Sequence, residues 1–126
     1  MATILLVDDN PLRASLRQSI LEGSVPGVVR VSDASEALCL VESPDFASGL
    51  RLVITGHTGC GIPGPEFAAE LRTRLPRVPV LVLSSSGDVE AEYAGIDGLY
   101  HSKTLSPDEL RTVVKRLLGE MAKQSA

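Results

Sequence analysis

The chain has 126 residues, enough for one domain with one core. Hydrophobic residues make up 44% of it, with two Tyr, two Phe and no Trp, which is typical of a globular protein with an aliphatic core. The net charge of −4 argues against a nucleic-acid partner. The chain has no signal peptide and no apolar run long enough to span a membrane, so we expect a cytoplasmic protein without a membrane partner.

Short apolar segments alternate with helical patterns along the chain, in five pairs. In chain order the predicted strands are Ile4–Val7, Val28–Val31, Leu50–Thr55, Val78–Ser84 and Leu99–His101. Continuous apolar runs of this length are typical of strands covered on both faces. The helical patterns run from Asn10 to Gly23, Asp33 to Pro44, Pro65 to Leu75, Asp88 to Ala94 and Ser106 to Met121. The fourth of these helices is short.

Local signals also predict how two of these helices are placed. Asn10 is a good cap for the first helix. Leu12, Leu16 and Ile20 recur every fourth residue, which predicts that they form its buried face. Pro44 is expected to end the second helix, because proline interrupts helical hydrogen bonding.

Five strand–helix units predict an α/β fold with a parallel, doubly wound sheet and five helices. We expect a single domain over residues 1–122 and a polar tail over residues 123–126. In such folds the functional site lies beyond the carboxyl ends of the strands. The residues at those ends are Asp8, Asp9, Gly56, Ser84 and Lys103.

These strand-end residues carry a family resemblance over nearly the whole chain. The acidic pair Asp8-Asp9, the hydroxyl of Ser84, the aromatic Tyr100 and Lys103 resemble the conserved positions of two-component response-regulator receiver domains. The resemblance implies the CheY-like, flavodoxin-type strand order 2-1-3-4-5. It also implies that an acceptor Asp, with Mg²⁺ held by the acids, takes a phosphoryl group, and that Ser84, Tyr100 and Lys103 act as switch positions.

Several positions depart from that family pattern. Gly56 stands where the resemblance places the phosphoacceptor Asp, and the stretch from Phe46 to Pro65 contains no Asp or Glu. Thr104 replaces the proline that follows the family's lysine. A cis bond before a residue other than proline costs about 2.5–4 kcal/mol, so Lys103–Thr104 is predicted to be trans.

The two remaining acids need a positive partner. Two like charges about 4 Å apart repel by roughly 4 kcal/mol at an effective dielectric constant near 20. Without a third carboxylate, Asp8 and Asp9 are expected to bind Mg²⁺ weakly if at all, and no other cofactor is expected. Our hypothesis is that Lys103 pairs with Asp8 or Asp9 and holds the site in one state.

We therefore predict a stand-alone pseudo-receiver that is not an enzyme and acts by protein–protein interaction, as a monomer or weak homodimer. The expected partner is a histidine kinase, another regulator or an output protein. By resemblance, that partner docks on the face formed by Asp88–Ala94, Leu99–His101 and the last helix.

Two alternative functions stay open at this stage. One is a receiver phosphorylated at a non-standard residue such as Asp8 or Asp9. The other is a small-molecule or nucleotide binder that uses the glycine loop Gly59–Gly64, although that loop follows the third strand instead of the first. The blandest interpretation of Asp8-Asp9 is a solvated strand end beside a helix cap.

Overall fold

Five parallel strands form the centre of the computed structural model, which describes residues 3–23, 27–56, 64–83, 99–102 and 106–125. The strands are β1 (Thr3–Val7), β2 (Gly27–Val31), β3 (Leu50–Gly56), β4 (Val80–Leu83) and β5 (Leu99–Ser102). The sheet follows the predicted order through β2-β1-β3-β4, and β5 pairs in parallel with β4 at the edge.

The helices of the described residues cover both faces of this sheet. They are α1 (Pro11–Glu22), α2 (Ala34–Val41), α3 (Pro44–Gly49), α4 (Gly64–Arg74) and α5 (Pro107–Ser125). The short helix predicted over Asp88–Ala94 lies outside the described residues. The last helix continues to Ser125, through most of the segment predicted as a polar tail.

Alternate side chains of β1 supply two separate cores. Leu5 and Val7 pack in a cluster with residues of α2 and α4, such as Phe67. Ile4 and Leu6 pack in a second cluster with residues of α1 and α5. The side chains of Ile4 to Val7 are fully buried, as the continuous apolar run predicts for a strand covered on both faces.

One local prediction is wrong in part. Of the predicted buried face of α1, Ile20 is buried, but Leu12 and Leu16 are 84% and 60% exposed. The buried positions of α1 are Ala14, Arg17, Ile20 and Leu21. A four-residue spacing identifies a helix face but not the side on which the sheet lies. The second helix ends before Pro44, as predicted, and Pro44 itself occupies the first turn of α3, where a missing N–H costs nothing.

The predicted helix starts are confirmed at two caps. The Asn10 side chain accepts a hydrogen bond from the Arg13 N–H at 3.0 Å, and the Asp33 side chain accepts one from the Glu36 N–H at 2.7 Å. In the part of the chain that the structure describes, no helix combines the length and the apolar character needed to cross a membrane.

Candidate functional site

Asp8, the acidic residue that follows β1, is buried at the carboxyl end of the parallel sheet. Val7 is paired with Thr55 of β3, so the next residues along the two strands, Asp8 and Gly56, are neighbours in register. The Asp8 N–H donates to the Val31 carbonyl at 3.1 Å, which extends the pairing with β2 by one residue. Asp8 is only 3% exposed, so its charge needs compensation from the protein.

Two arginines of α1 supply that compensation. Arg13 donates to Asp8 from Nη2 to Oδ1 at 2.7 Å and from Nε to Oδ2 at 2.9 Å. Arg17 donates from Nη1 to Oδ2 at 3.0 Å. The Asn10 N–H completes the set by donating to Oδ1 at 3.0 Å. Each carboxylate oxygen therefore accepts hydrogen bonds from at least two donors, and most of these bonds are charge-assisted.

The local sequence explains why these side chains meet. Asn10 caps α1 immediately after the acidic pair, so the first turn of the helix stands over the end of β1. Arg13 and Arg17 are four residues apart and share one helix face. Helical side chains point back towards the amino terminus, which directs both guanidinium groups to Asp8.

The electrostatics of Asp8 favour its charged form. Burial acts to raise the pKa of the Asp8 carboxyl, but the hydrogen bonds from Arg13 and Asn10 and the charges of Arg13 and Arg17 outweigh it, so the pKa is lowered. Burial lowers the pKa of Arg17, with the Asp8 charge acting in the opposite direction. A guanidinium group remains protonated in proteins despite such a shift, so the cluster is a true ion pair at neutral pH.

Asp9 is in a different environment. Its side chain is 45% exposed, and its Oδ1 lies 3.4 Å from Arg13 Nη2. It borders a cavity of about 360 Å³ between α1, the end of β2 and the start of α2. The cavity is lined by Asp8, Asp9, Pro11, Ala14, Arg30, Val31, Ser32 and Glu36. Asp9 is thus the solvent-accessible acid of the pair.

Gly56, the last residue of β3, contributes no carboxylate to the surroundings of Asp8. Gly56 is half-buried, and its carbonyl accepts a hydrogen bond from the hydroxyl of the buried Thr55 at 3.2 Å. Within the described ranges there is no group of three or more His, Cys, Asp or Glu side chains arranged to hold a metal ion.

The divalent cation that the resemblance implies does not fit these residues. A magnesium ion takes carboxylate oxygens in near-octahedral geometry. Both oxygens of Asp8 are already engaged by guanidinium and amide donors, and the positive charge of Arg13 lies between Asp8 and Asp9. Of the implied ligands in the described residues, Asp9 alone remains accessible.

The structure brings some of the predicted site residues together and leaves others outside the described part. Asp8, Asp9 and Gly56 lie together at the carboxyl ends of the neighbouring strands β1 and β3. Tyr100 is half-buried on β5 and packs against the core shared with α1 and α5. Ser84, Lys103, Thr104 and residues 59–63 of the glycine loop lie outside the described residues, so the pairing of Lys103 with the acids stays a prediction, whereas Gly64 is the first residue of α4.

Sequence reasoning missed the two arginines. Arg17 was hidden because a buried position on a helix is expected to be apolar, and it is only 9% exposed. A usable signal was present nonetheless: two arginines at i and i+4 follow an acidic pair on the helix that starts directly after it.

Comparison with known proteins identifies the fold. The chain is 33% identical over 110 residues to the transcriptional regulatory protein TcrA of Mycobacterium tuberculosis, covering 85% of this chain and 42% of TcrA. It is 30% identical over 125 residues to the response regulator protein FleR of Pseudomonas aeruginosa, covering 95% of this chain and 25% of FleR. The chain thus spans less than half the length of these curated relatives. No protein-family model matches it.

Solved structures agree with the sequence relatives. A response regulator receiver protein from Sinorhizobium medicae superposes with a TM-score of 0.81 at 24% identity, covering 95% of this chain and 96% of that protein. A response regulator receiver domain protein from Clostridium thermocellum superposes with a TM-score of 0.85 at 20% identity, covering 98% and 99%. The match over almost the full length of both chains defines the architecture.

Proposed function

Since the chain is a CheY-like receiver domain of the two-component type, we propose that it works as a pseudo-receiver, binding partner proteins without accepting a phosphoryl group on β3. Receiver domains are signalling modules, not enzymes, and they interact with histidine kinases and output proteins. They typically bind Mg²⁺. The proposal concerns how this member departs from that pattern.

The observation that carries the proposal is the glycine at the end of β3. Gly56 lies beside Asp8 in register, where a carboxylate nucleophile is needed, and glycine has no side-chain oxygen. Covalent phosphoryl transfer needs a nucleophile that can reach the phosphorus atom. The β3 position therefore supplies no acceptor.

Asp8 is a poor substitute acceptor. Its carboxylate is buried, and its oxygen lone pairs are engaged by Arg13, Arg17 and the Asn10 N–H. Attack on phosphorus would require these bonds to break inside the protein. Asp9 is exposed and is the acid through which an alternative phosphorylation would proceed.

Intact-mass spectrometry after incubation with acetyl phosphate and Mg²⁺ tests this proposal. We expect no phosphoryl adduct on the native chain. The Asp9→Asn variant serves as the matched control, because it removes the exposed acid and leaves the buried one. A stoichiometric adduct on the native chain that disappears in this variant would replace the pseudo-receiver with a receiver phosphorylated at Asp9.

Partner docking on the face of β5 and α5 is part of the proposal. The exposed side of α5 carries Thr112, Lys115 and Arg116, a polar and basic surface. The described structure also exposes two large apolar side chains, Leu12 and Leu16, on the outer side of α1. Adjacent exposed leucines on a helix are a feature of protein-binding surfaces.

A two-hybrid or pull-down screen against the histidine kinases and regulators of the source organism separates the two surfaces. Charge reversal at Lys115 and Arg116 is expected to weaken capture of the partner if α5 is the docking face. Serine substitutions at Leu12 and Leu16 have that effect if α1 is the docking face. A partner retained by both double variants would exclude both surfaces.

A further inference from the structure

The ion cluster at the end of β1 contains positively charged groups beside its carboxylates, as an occupied cation site does. The family pattern neutralises a group of carboxylates with a divalent cation. In this chain Asp8 and Asp9 meet two guanidinium groups, so these four side chains sum to zero charge. The charge that a metal ion would bring is already present on the chain itself.

We propose that Arg13 and Arg17 act as a built-in replacement for the divalent cation and close the acidic pair to metal ions. This inference rests on the proposed function in one respect, namely the absence of a third carboxylate at Gly56. It extends that function by making the electrostatic state of the site independent of the cation concentration around the protein.

The two arginines have different roles in this arrangement. The Arg17 side chain is 11% exposed and is held under the strand end, where its loss would leave both a hole and a less compensated Asp8. The Arg13 side chain is 45% exposed and contacts both acids, at 2.7 Å to Asp8 and 3.4 Å to Asp9. Arg13 is therefore the group that stands between the acids and the solvent.

This difference predicts that Arg13 is the residue that prevents metal ions from binding to the acidic pair. Removing its guanidinium frees oxygens of Asp8 on the solvent side and removes the positive charge beside Asp9. Two neighbouring carboxylates then face water without a counter-charge from Arg13, which is the arrangement that hard divalent cations bind. Arg17 still holds the buried side of Asp8 in place.

Manganese binding, followed by calorimetry and by the electron paramagnetic resonance of free Mn²⁺, tests whether Arg13 prevents metal binding. We expect the native chain to bind weakly and Arg13→Ala to bind at least about tenfold more tightly, a change of one decade in the dissociation constant. Arg13→Gln, which removes the charge but keeps a shorter polar side chain, is expected to give the same gain and serves if the alanine variant does not fold. Adding Asp8→Asn to either variant is expected to abolish the gain.

Arg30→Ala is the matched control. Arg30 lines the same cavity as Asp9, but its guanidinium donates to the Ser15 hydroxyl at 2.7 Å. Its removal is expected to leave Mn²⁺ affinity unchanged. An equal gain in this variant would mean that general surface charge, and not the contact with the acids, controls binding, and would overturn the inference.

A measurement on the native chain needs no variant. The Arg13 Nε–H donates to Asp8 and is expected to give an NMR signal that Mn²⁺ at submillimolar concentration does not broaden. Broadening there, or tight Mn²⁺ binding by the native chain, overturns the built-in cation and leaves the pseudo-receiver standing, since Gly56 still offers no nucleophile. A phosphoryl adduct on the native chain without tight metal binding would instead overturn the pseudo-receiver and leave the built-in cation standing.

Discussion

Replacing Asp8 by Asn tests how strongly the buried ion cluster stabilises the fold. The substitution keeps the shape of the side chain but removes the charge that faces Arg13 and Arg17. It also places an amide donor against guanidinium donors at distances near 3 Å. Breaking a buried ion pair from one side costs about 3–5 kcal/mol, because the remaining charge is left without compensation.

The structure places the expected loss at the lower end of that range. The Arg17 side chain is only 11% exposed and gains little from water, whereas the Arg13 side chain is 45% exposed and is already partly solvated. We therefore expect Asp8→Asn to lower the free energy of unfolding by about 3 kcal/mol. For a domain of this size that corresponds to a fall in melting temperature of about 10 °C.

Urea denaturation followed by circular dichroism measures the effect at neutral pH. Asp9→Asn is the matched control, because Asp9 has a half-exposed side chain and a 3.4 Å contact with Arg13. Its loss should cost less than about 1 kcal/mol, as for other surface ion pairs. Equal costs for the two variants would contradict the role assigned to the buried carboxylate.

The pH dependence gives a second check on the same variant. The pKa of Asp8 is lower in the folded chain than its ordinary value near 4. Its stabilisation is therefore fully present above the ordinary pKa and is lost as pH falls through the lowered folded value. The difference in stability between the native chain and Asp8→Asn should begin to shrink below about pH 4 and disappear only below the lowered folded pKa. A difference that stays constant from neutral to acid pH would refute an electrostatic origin.

Three further substitutions, with Leu12→Ala as a control, test the packing and one set of local hydrogen bonds. Leu21→Ala, at a fully buried position of α1, should cost about 2–5 kcal/mol in urea denaturation, whereas Leu12→Ala on the exposed side should change stability by less than about 0.5 kcal/mol. Phe67→Ala should cost about 3–5 kcal/mol, because its ring is 1% exposed in the core beneath α4, and a smaller loss would mean that the core collapses into the space. Arg72→Ala should cost about 1–2 kcal/mol in thermal unfolding, because its guanidinium donates to the Leu75 carbonyl and to others in the turn before β4; an unchanged melting temperature would show that water replaces those bonds.

Much of the fold was predictable because it depends on local patterns. Short continuous apolar runs such as Ile4–Val7 favour strands covered on both faces, and the caps at Asn10 and Asp33 act within one helical turn. The parallel direction of the strands follows from the alternation of strands and helices, whereas the order of β2, β1, β3 and β4 was implied by the family resemblance. The position of Asp8 and Asp9 at the edge of the sheet follows from the same alternation.

The sequence by itself therefore determined the class of fold, the end of the sheet at which the acids lie and the presence of glycine at position 56. The tertiary structure alone decided which side of α1 faces the sheet and, with it, what neutralises Asp8. Spacing along a helix is periodic and has no absolute direction, so the exposed leucines fitted the pattern as well as the buried residues did. Burying Arg17 is favourable only when the Asp8 carboxylate at the end of β1 compensates its charge. This ion pair exists only in the folded chain.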